Sequence, residues 1–343
     1  MRKPELLSKQ ARSAALWMDE MSRLHYLSRA IYAAAELGIA DCLNDIPIAI
    51  DAVATKTKTH PVFLKRLLQF LSAYGIFNLS TSNRVSHTEL SSVLRGDHPN
   101  SVRSNIIRIG DFWWSAVGHM AYSIRTGESA FTHLHGVTFF QYLKAHPEIQ
   151  KRFDDAMARI ADSYDEAIAA AYDFSHFRRI VDVGGGQGGL LVHILRQSRK
   201  ATGVLFEQPQ VVERATRLSA AGFGKRAEMI GGDFFKSVPA DGDCYVIKNV
   251  LHDFNDEDCV KILSNCRAAM KSNGRIVIAN QDLPFPIDGP HPNLTMDVQM
   301  MVLLRGRERT RAEWSALFGL SGLTPGITAQ TGVDYVLIEG KPD

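Results

Sequence analysis

The stretch "VDVGGGQGG", residues 181–189, sets five glycines directly behind a β-branched run that carries an acid, Asp182. A strand running into glycines marks the carboxyl edge of a parallel sheet, where such folds hold ligands near the point at which strand order reverses. Glycines there permit a tight turn and let a ligand approach backbone N–H groups closely. The spacing Gly184-x-Gly186-x-x-Gly189 literally satisfies the dinucleotide fingerprint, so a nicotinamide enzyme is the first reading to test. Two features oppose it: Asp182 interrupts a strand that dinucleotide folds keep apolar, and the loop follows a long helical region instead of opening the chain.

Downstream of the loop, "TGVLFE", "DCYVIKNV", "GRIVIAN" and "DYVLIEG" alternate with helical stretches. That alternation predicts an α/β unit with parallel strands and crossover helices. The second strand ends in Glu207, 23 residues after Gly184, where an acid accepts hydrogen bonds from ribose hydroxyls. Asp233 and Phe234 in "GGDFF" follow the third strand, an acid and an aromatic ring suited to adenine. Gly184, Glu207 and Asp233, in strand order, therefore point to an adenosine-bearing ligand.

Upstream, residues from about 10 to 175 read almost entirely as helix. Within them, residues 48–80 look like a helix-turn-helix followed by a short strand, as in a winged helix. A DNA-reading helix needs a polar face that reaches base edges. The second helix here carries Val62, Phe63, Leu64, Leu67, Leu68, Phe70 and Leu71 against Lys65, Arg66 and Gln69, which favours burial in a core or a dimer interface.

The bulk properties agree with a small-molecule enzyme. A chain of 343 residues, 45% hydrophobic and 22% charged, can form two domains with separate cores, and a net charge of +2 does not suggest a nucleic-acid binder. The four cysteines, Cys42, Cys244, Cys259 and Cys266, form no CxxC pair and read as reduced core residues. The basic start is interrupted by Glu5, Lys9 and Arg12, and no run of 18 apolar residues occurs, so a soluble cytoplasmic protein without membrane contact is expected. No metal site is expected either: His133-x-His135 has no patterned carboxylate beside it.

Together these residues resemble the S-adenosylmethionine-dependent small-molecule O-methyltransferases, a family that includes plant caffeate-type enzymes and bacterial antibiotic and phenazine enzymes. The resemblance runs along nearly the whole chain through "VDVGGGQGG", "FEQPQVV", "GGDFF", "VIKNVLHDFNDEDCVKIL" and the "GRERT" loop, with "LHDFNDEDC" the most specific. It implies a class I methyltransferase Rossmann-like domain over 175–343, an all-helical winged-helix-like dimerisation domain over 1–105, and a helical linker over 106–174 that contributes to the acceptor pocket. It also implies a homodimer and S-adenosylmethionine as cofactor, contacted by Gly184, Gly186, Glu207, Asp233, Phe234, Lys248 and Phe254, the last standing where the family often has tryptophan.

His252 matches the family's catalytic base. Its own context agrees, because it follows a strand at the carboxyl edge of the sheet and an imidazole pKa suits removal of a hydroxyl proton. Glu308 matches the acid that positions the base. By contrast, Asn255 reads as a helix N-cap with Asp256, Glu257 and Asp258 in the first turn, and Thr310-x-x-Glu313 as a capping box. Asn280 stands where many family members place a second glutamate. A neutral amide can orient an imidazole but cannot balance an imidazolium, which implies a weaker base, an acidic acceptor or a different reaction.

The resemblance places Phe153, Met157 and Met300 along an apolar slot for a planar acceptor, with Trp114 nearby, although aromatics and methionines at helical spacing are commonly core. The sequence thus predicts methyl transfer to a hydroxyl of a small aromatic secondary metabolite. The alternatives are N-methylation and a fold relative that binds S-adenosylmethionine for a non-methylating pericyclase, decarboxylase or hydroxylase reaction.

Overall fold

In the computed structural model the described residues are 13–283 and 286–343, apart from the side chains of 158–163. The basic opening stretch, residues 1–12, lies outside them. Two compact units divide the chain, Met1–Trp114 and Ser115–Asp343.

The front unit has its core where Ala34, Ile39, Val53, Leu64, Leu68, Leu71, Phe77 and Val85 meet. Helix Pro61–Ala73 begins on proline, whose missing N–H costs nothing at a helix start, and buries Leu64, Leu68 and Leu71 along one stripe. Val62 and Phe63 stay 60% and 63% exposed on its other side. The unit is not all helix, contrary to the expectation from sequence. β1 (Ile48–Ala49), β2 (Phe77–Leu79) and β3 (Arg84–His87) form an antiparallel sheet in the order β1-β3-β2. Gly75 at φ +72° stops the helix, Asn83 at φ +56° turns the chain, and the short strands between them bury Phe77 and Val85. Such short strands leave little periodicity to read.

The back unit is built on seven strands: β4 (Arg179–Val183), β5 (Thr202–Glu207), β6 (Ala227–Gly231), β7 (Gly242–Lys248), β8 (Met270–Gln281), β9 (Leu323–Gln330) and β10 (Tyr335–Pro342). Their order is β6-β5-β4-β7-β8-β10-β9, so the direction of winding reverses beside β4, the strand that feeds the glycine loop. β6 through β8 pair in parallel, as the alternation predicted. β10 is antiparallel to both β8 and β9. Four residues separate β9 from β10, enough for a hairpin and too few for a crossover helix. "DYVLIEG" therefore belongs to a hairpin, and its partner "LTPGITAQ", with Pro325 and Gly326 inside it, gave little strand signal.

Alternation along the strands sends side chains into two cores. Val181, Val183, Tyr245, Ile247, Ile276 and Ile278 pack with Cys259, Ile262, Trp314 and Phe318 of helices Asp256–Ala269 and Arg311–Leu320. Ile180, Leu205, Cys244, Val246 and Ala279 pack on the opposite face with Leu190, Leu191 and Ile194 of helix Gly189–Gln197 and with Ile168. Asp182, two residues after Ile180, points to this second face. All four cysteines are free, and three of them are buried.

Candidate active site

The glycine loop is shaped by what surrounds it. Gly184 has φ +69° and donates its N–H to the Phe206 carbonyl at 2.8 Å, while a Cβ on it would strike Val250 at 2.5 Å. Gly186, at φ +56°, has nothing within 4 Å of the place a Cβ would occupy. The loop is therefore tight against the sheet at one glycine and open at another. Glu207, at the end of β5, accepts the Gly186 N–H at 3.1 Å and the Gln208 N–H at 2.7 Å. Burial raises its pKa, and those two backbone donors pull the other way.

Beneath the loop lies a buried charge cluster. Asp182 is 1% exposed, and neither of its oxygens has a hydrogen-bond partner among the described residues. Burial pushes its pKa up to about 7; Lys248 opposes the rise, while Asp165 and Glu207 add to it. Lys248, an expected cofactor contact, is held in an ion pair by Asp165 of helix Pro147–Ala170. Asp165 was missed in the sequence, because an acid within "DSYDEA" reads as solvated helix surface.

Asp233 accepts the Phe235 N–H at 3.0 Å and remains partly exposed, with Lys236 3.8 Å away. Phe234 and Phe254 meet edge to face at 5.8 Å between ring centres, and Phe235 meets Phe254 at 5.1 Å. All three rings pack on the core, which leaves Phe234 braced by neighbouring aromatics.

His252 sits in the one-turn helix Leu251–Asp253 after β7 and is buried. Its Nδ1 lies 2.6 Å from Glu308 Oε1, and Asn280 Nδ2 donates to Glu308 Oε2 at 2.6 Å. A carboxylate accepts only, so Nδ1 carries the proton and a neutral ring keeps its lone pair on Nε2. Burial alone would lower the pKa of His252, but the carboxylates of Glu308 and Asp253 reverse this and bring it to about 9. Asp253 Oδ1 stands 3.4 Å from Nε2, and burial raises the Asp253 pKa to about 7. Sequence reading passed over Asp253, although its place beside the base in "LHDF" was a usable signal.

The loop that carries Glu308 is laced to the turn that carries His252. Arg307 N–H donates to the His252 carbonyl at 2.9 Å, and a Cβ on Gly306 would lie 2.0 Å from that same oxygen. Arg309, fully buried, donates to the carbonyls of Leu251 at 3.0 Å and Phe254 at 2.9 Å and to Asp256 at 2.7 Å. Asp297, from helix Pro292–Leu304, accepts the Glu308 N–H at 2.8 Å. The anticipated caps are present as well, Asn255 on the Asp258 N–H and Thr310 with Glu313 in a reciprocal box. One expectation changes: Asn280 reaches the imidazole only through Glu308.

Of the expected acceptor residues, Phe153 and Met157 are half-buried on helix Pro147–Ala170, with Phe153 edge-on to Phe139 at 5.5 Å, and Met300 is buried on helix Pro292–Leu304. Trp114 belongs to the front unit, where the Arg29 guanidinium lies 4.9 Å from its ring centre. Among the described residues no group of three or more His, Cys, Asp or Glu is placed to hold a metal, and no helix is long and apolar enough to cross a membrane.

A seven-stranded sheet of this order, with a glycine loop, a strand-end acid and an imidazole at its carboxyl edge, defines a class I methyltransferase. Comparison with known proteins agrees: residues 117–324 match the model of the O-methyltransferase domain and residues 20–97 that of the O-methyltransferase dimerisation domain. The chain belongs to this O-methyltransferase family, and S-adenosylmethionine is its methyl donor. It is 37% identical to the phenazine O-methyltransferase of Lysobacter antibioticus over 93% of each chain. The crystal structure of a mitomycin 7-O-methyltransferase superposes with a TM-score of 0.90 at 32% identity, covering 96% of this chain and 98% of that one. An O-methyltransferase of neocarzinostatin biosynthesis, solved with S-adenosylhomocysteine and 1,4-dihydroxy-2-naphthoic acid, superposes with a TM-score of 0.86 at 28% identity over 96% of this chain and all (100%) of that one.

The residues present suit that donor. The space at Gly186 leaves the backbone open to a ligand, Glu207 presents a buried carboxylate beside it, and the Asp182 oxygens, without partners among the described residues, suit a donor group.

Proposed function

We propose that His252 is the general base in methylation of a hydroxyl on a small aromatic secondary metabolite. The observation that carries this reading is the hydrogen-bonded chain Asn280–Glu308–His252, which fixes the proton on Nδ1 and leaves Nε2 to take the hydroxyl proton. Glu308 then offsets the charge of the imidazolium that forms, and Asn280 holds Glu308 in place. S-adenosylmethionine supplies an electrophilic methyl group on its sulfonium. Gly184, Gly186, Glu207, Asp233, Phe234, Lys248 and Phe254 hold it, and orientation of the two reactants accounts for most of the remaining rate.

Phe153, Met157 and Met300 form the apolar lining that selects a flat acceptor. Support for an aromatic acceptor comes from the named relatives, which act on or bind a phenazine, a mitomycin and a dihydroxynaphthoic acid. The division into 1–105, 106–174 and 175–343 is part of the same proposal, as is a homodimer formed through the front unit. The dimer is supported by the dimerisation-domain match and by exposed Met18, Tyr26, Val62 and Phe63.

The test is incubation with methyl-labelled S-adenosylmethionine and a panel of phenols, naphthols, quinones and phenazines, with S-adenosylhomocysteine and labelled product read by mass spectrometry. Label on a phenolic oxygen, lost with His252→Ala, is the expected result. Acceptors consumed without label, or transfer that persists unchanged in His252→Ala, would overturn the base assignment.

A further inference from the structure

In the front unit, Arg108 is left without an acid among the described residues. It lies half-buried in the last turn of helix Arg103–Gly110, its guanidinium 4.2 Å from the centre of the Trp113 ring. Nη2 donates to Asn105 Oδ1 at 2.5 Å, while Nε is buried with no hydrogen-bond partner among the described residues. Burial lowers the pKa of the group to about 10, and no neighbouring carboxylate, that of Asp111 included, raises it back. Arg103, on the same helix, shows the ordinary arrangement: its guanidinium donates to Asp41 at 2.5 Å and to the Ala35 carbonyl at 2.8 Å.

The carbonyl end of the helix and the face of Trp113 offset part of this charge. They leave unused the planar fork of a guanidinium, which matches the two oxygens of a carboxylate. The surroundings are aromatic: Phe112 stands edge-on to Trp113 at 6.3 Å between ring centres. A second cation reaches the same helix end, since Arg29 donates to the Gly110 carbonyl while its guanidinium lies 4.1 Å from the Tyr32 ring centre and 4.9 Å from that of Trp114. Guanidinium groups set on aromatic rings suit a ligand that is both flat and anionic. A phosphate would use the fork and leave the rings without a partner.

The geometry points to Arg108 as the seat of a carboxylate on the acceptor, which makes that acceptor an aromatic carboxylic acid bearing the hydroxyl to be methylated. The inference rests on the proposed aromatic acceptor and on the assignment of 106–174 to its pocket, and goes further by giving the acceptor a charge. It also accounts for an arginine at a place where an apolar side chain of similar length would fill the space with no charge to desolvate. A bound carboxylate supplies the countercharge that the protein does not.

The experiment is calorimetric titration, with S-adenosylhomocysteine present, of 1-hydroxy-2-naphthoic, 3-hydroxy-2-naphthoic and 4-hydroxybenzoic acids, each against the naphthol or phenol that lacks only the carboxyl group. The proteins are wild type and Arg108→Met, which keeps the stem against Trp113 and removes the charge, with thermal melting to show that both are folded. Wild type should bind at least one acid about 10- to 100-fold more tightly than its neutral counterpart, the range expected for a charge-assisted hydrogen bond. Arg108→Met should lose that preference by weakening the acid alone, the neutral ligand binding as before. Equal weakening of both members would make Arg108 a brace for Trp113 and overturn the seat, as would a preference left intact. Neutral members that bind wild type as tightly as the acids would overturn the seat and leave the aromatic reading standing, whereas no binding of either member of any pair would remove that reading and the seat with it. Should Arg108→Met not fold, Arg108→Lys takes the same comparison: it keeps the charge without the fork, and the preference should shrink to a few-fold.

Discussion

Two buried polar clusters lie at the carboxyl edge of the same sheet, and they are finished to different degrees. Around His252, the imidazole Nδ1 and both oxygens of Glu308 have partners within the protein, and Arg309 ties the two loops together. Under the glycine loop, both oxygens of Asp182 and one of Asp165 have none among the described residues. The first cluster, whose charged groups are paired internally although Asn280 Oδ1 has no partner among the described residues, holds one of the protein's own groups in a fixed orientation. A cluster left short of donors is completed by something that arrives. On this comparison, substitutions in the first should alter turnover and its pH dependence, and substitutions around the second should alter ligand affinity.

The sharpest break comes from His252→Ala. Turnover should fall by ~10²-fold or more while the dissociation constant of S-adenosylhomocysteine stays within about 3-fold, measured by steady-state kinetics and calorimetry. A parallel loss of binding would mean that the two clusters are not separate in function. Glu207→Ala is the converse. Two N–H groups now bonded to its carboxylate would lose their partner and the ribose its acceptor, so affinity for S-adenosylhomocysteine should fall by about 10²-fold. Unchanged affinity would take Glu207 out of the site.

How much of this the sequence shows depends on where the determinants lie along the chain. The glycine loop, Glu207, His252 and the two helix caps rest on neighbours within a few residues, and a linear pattern displays such relations. β10 was legible as a strand but not its direction, which is set by a four-residue connection to β9, a strand weakened by Pro325 and Gly326. Asp165 was invisible because its partner, Lys248, is 83 residues away and its helix gives no sign of which acid turns inward. Asn280 was noticed as a departure and its partner misjudged, since only the fold sets Glu308 between it and the imidazole.

A smaller effect is expected from Glu308→Gln, which keeps the shape but removes the charge behind the base. The raised pKa of His252 depends on that charge, so the rising limb of kcat/KM against pH, which should extend to about pH 9 in wild type, should move to lower pH. The rate above the limb should fall by roughly 10-fold as the imidazolium loses its countercharge. Stability should follow the same sign. A histidine whose folded pKa exceeds its unfolded value adds stability that is full below about pH 6.5 and lost as pH rises to about 9. Thermal melting of wild type should decline across that window, and Glu308→Gln should flatten the decline.

The smallest effect is also the one that separates the sequence view of Asn280 from the structural one. If Asn280 acted on the imidazole directly, Asn280→Asp would add a countercharge and the plateau rate at high pH would rise. Because Asn280 Nδ2 donates to Glu308 Oε2 at 2.6 Å, the substitution instead faces one carboxylate with another, and one of the two must hold a proton near neutral pH. A proton shared with Glu308 weakens its grip on Nδ1–H and lowers the pKa of His252, so the rising limb should move to lower pH and the plateau rate above it should drop by roughly 3-fold. The pair should also titrate as a unit, adding an ionisation to the pH–rate profile that wild type lacks. A plateau rate above wild type would place Asn280 beside the imidazole and not behind Glu308.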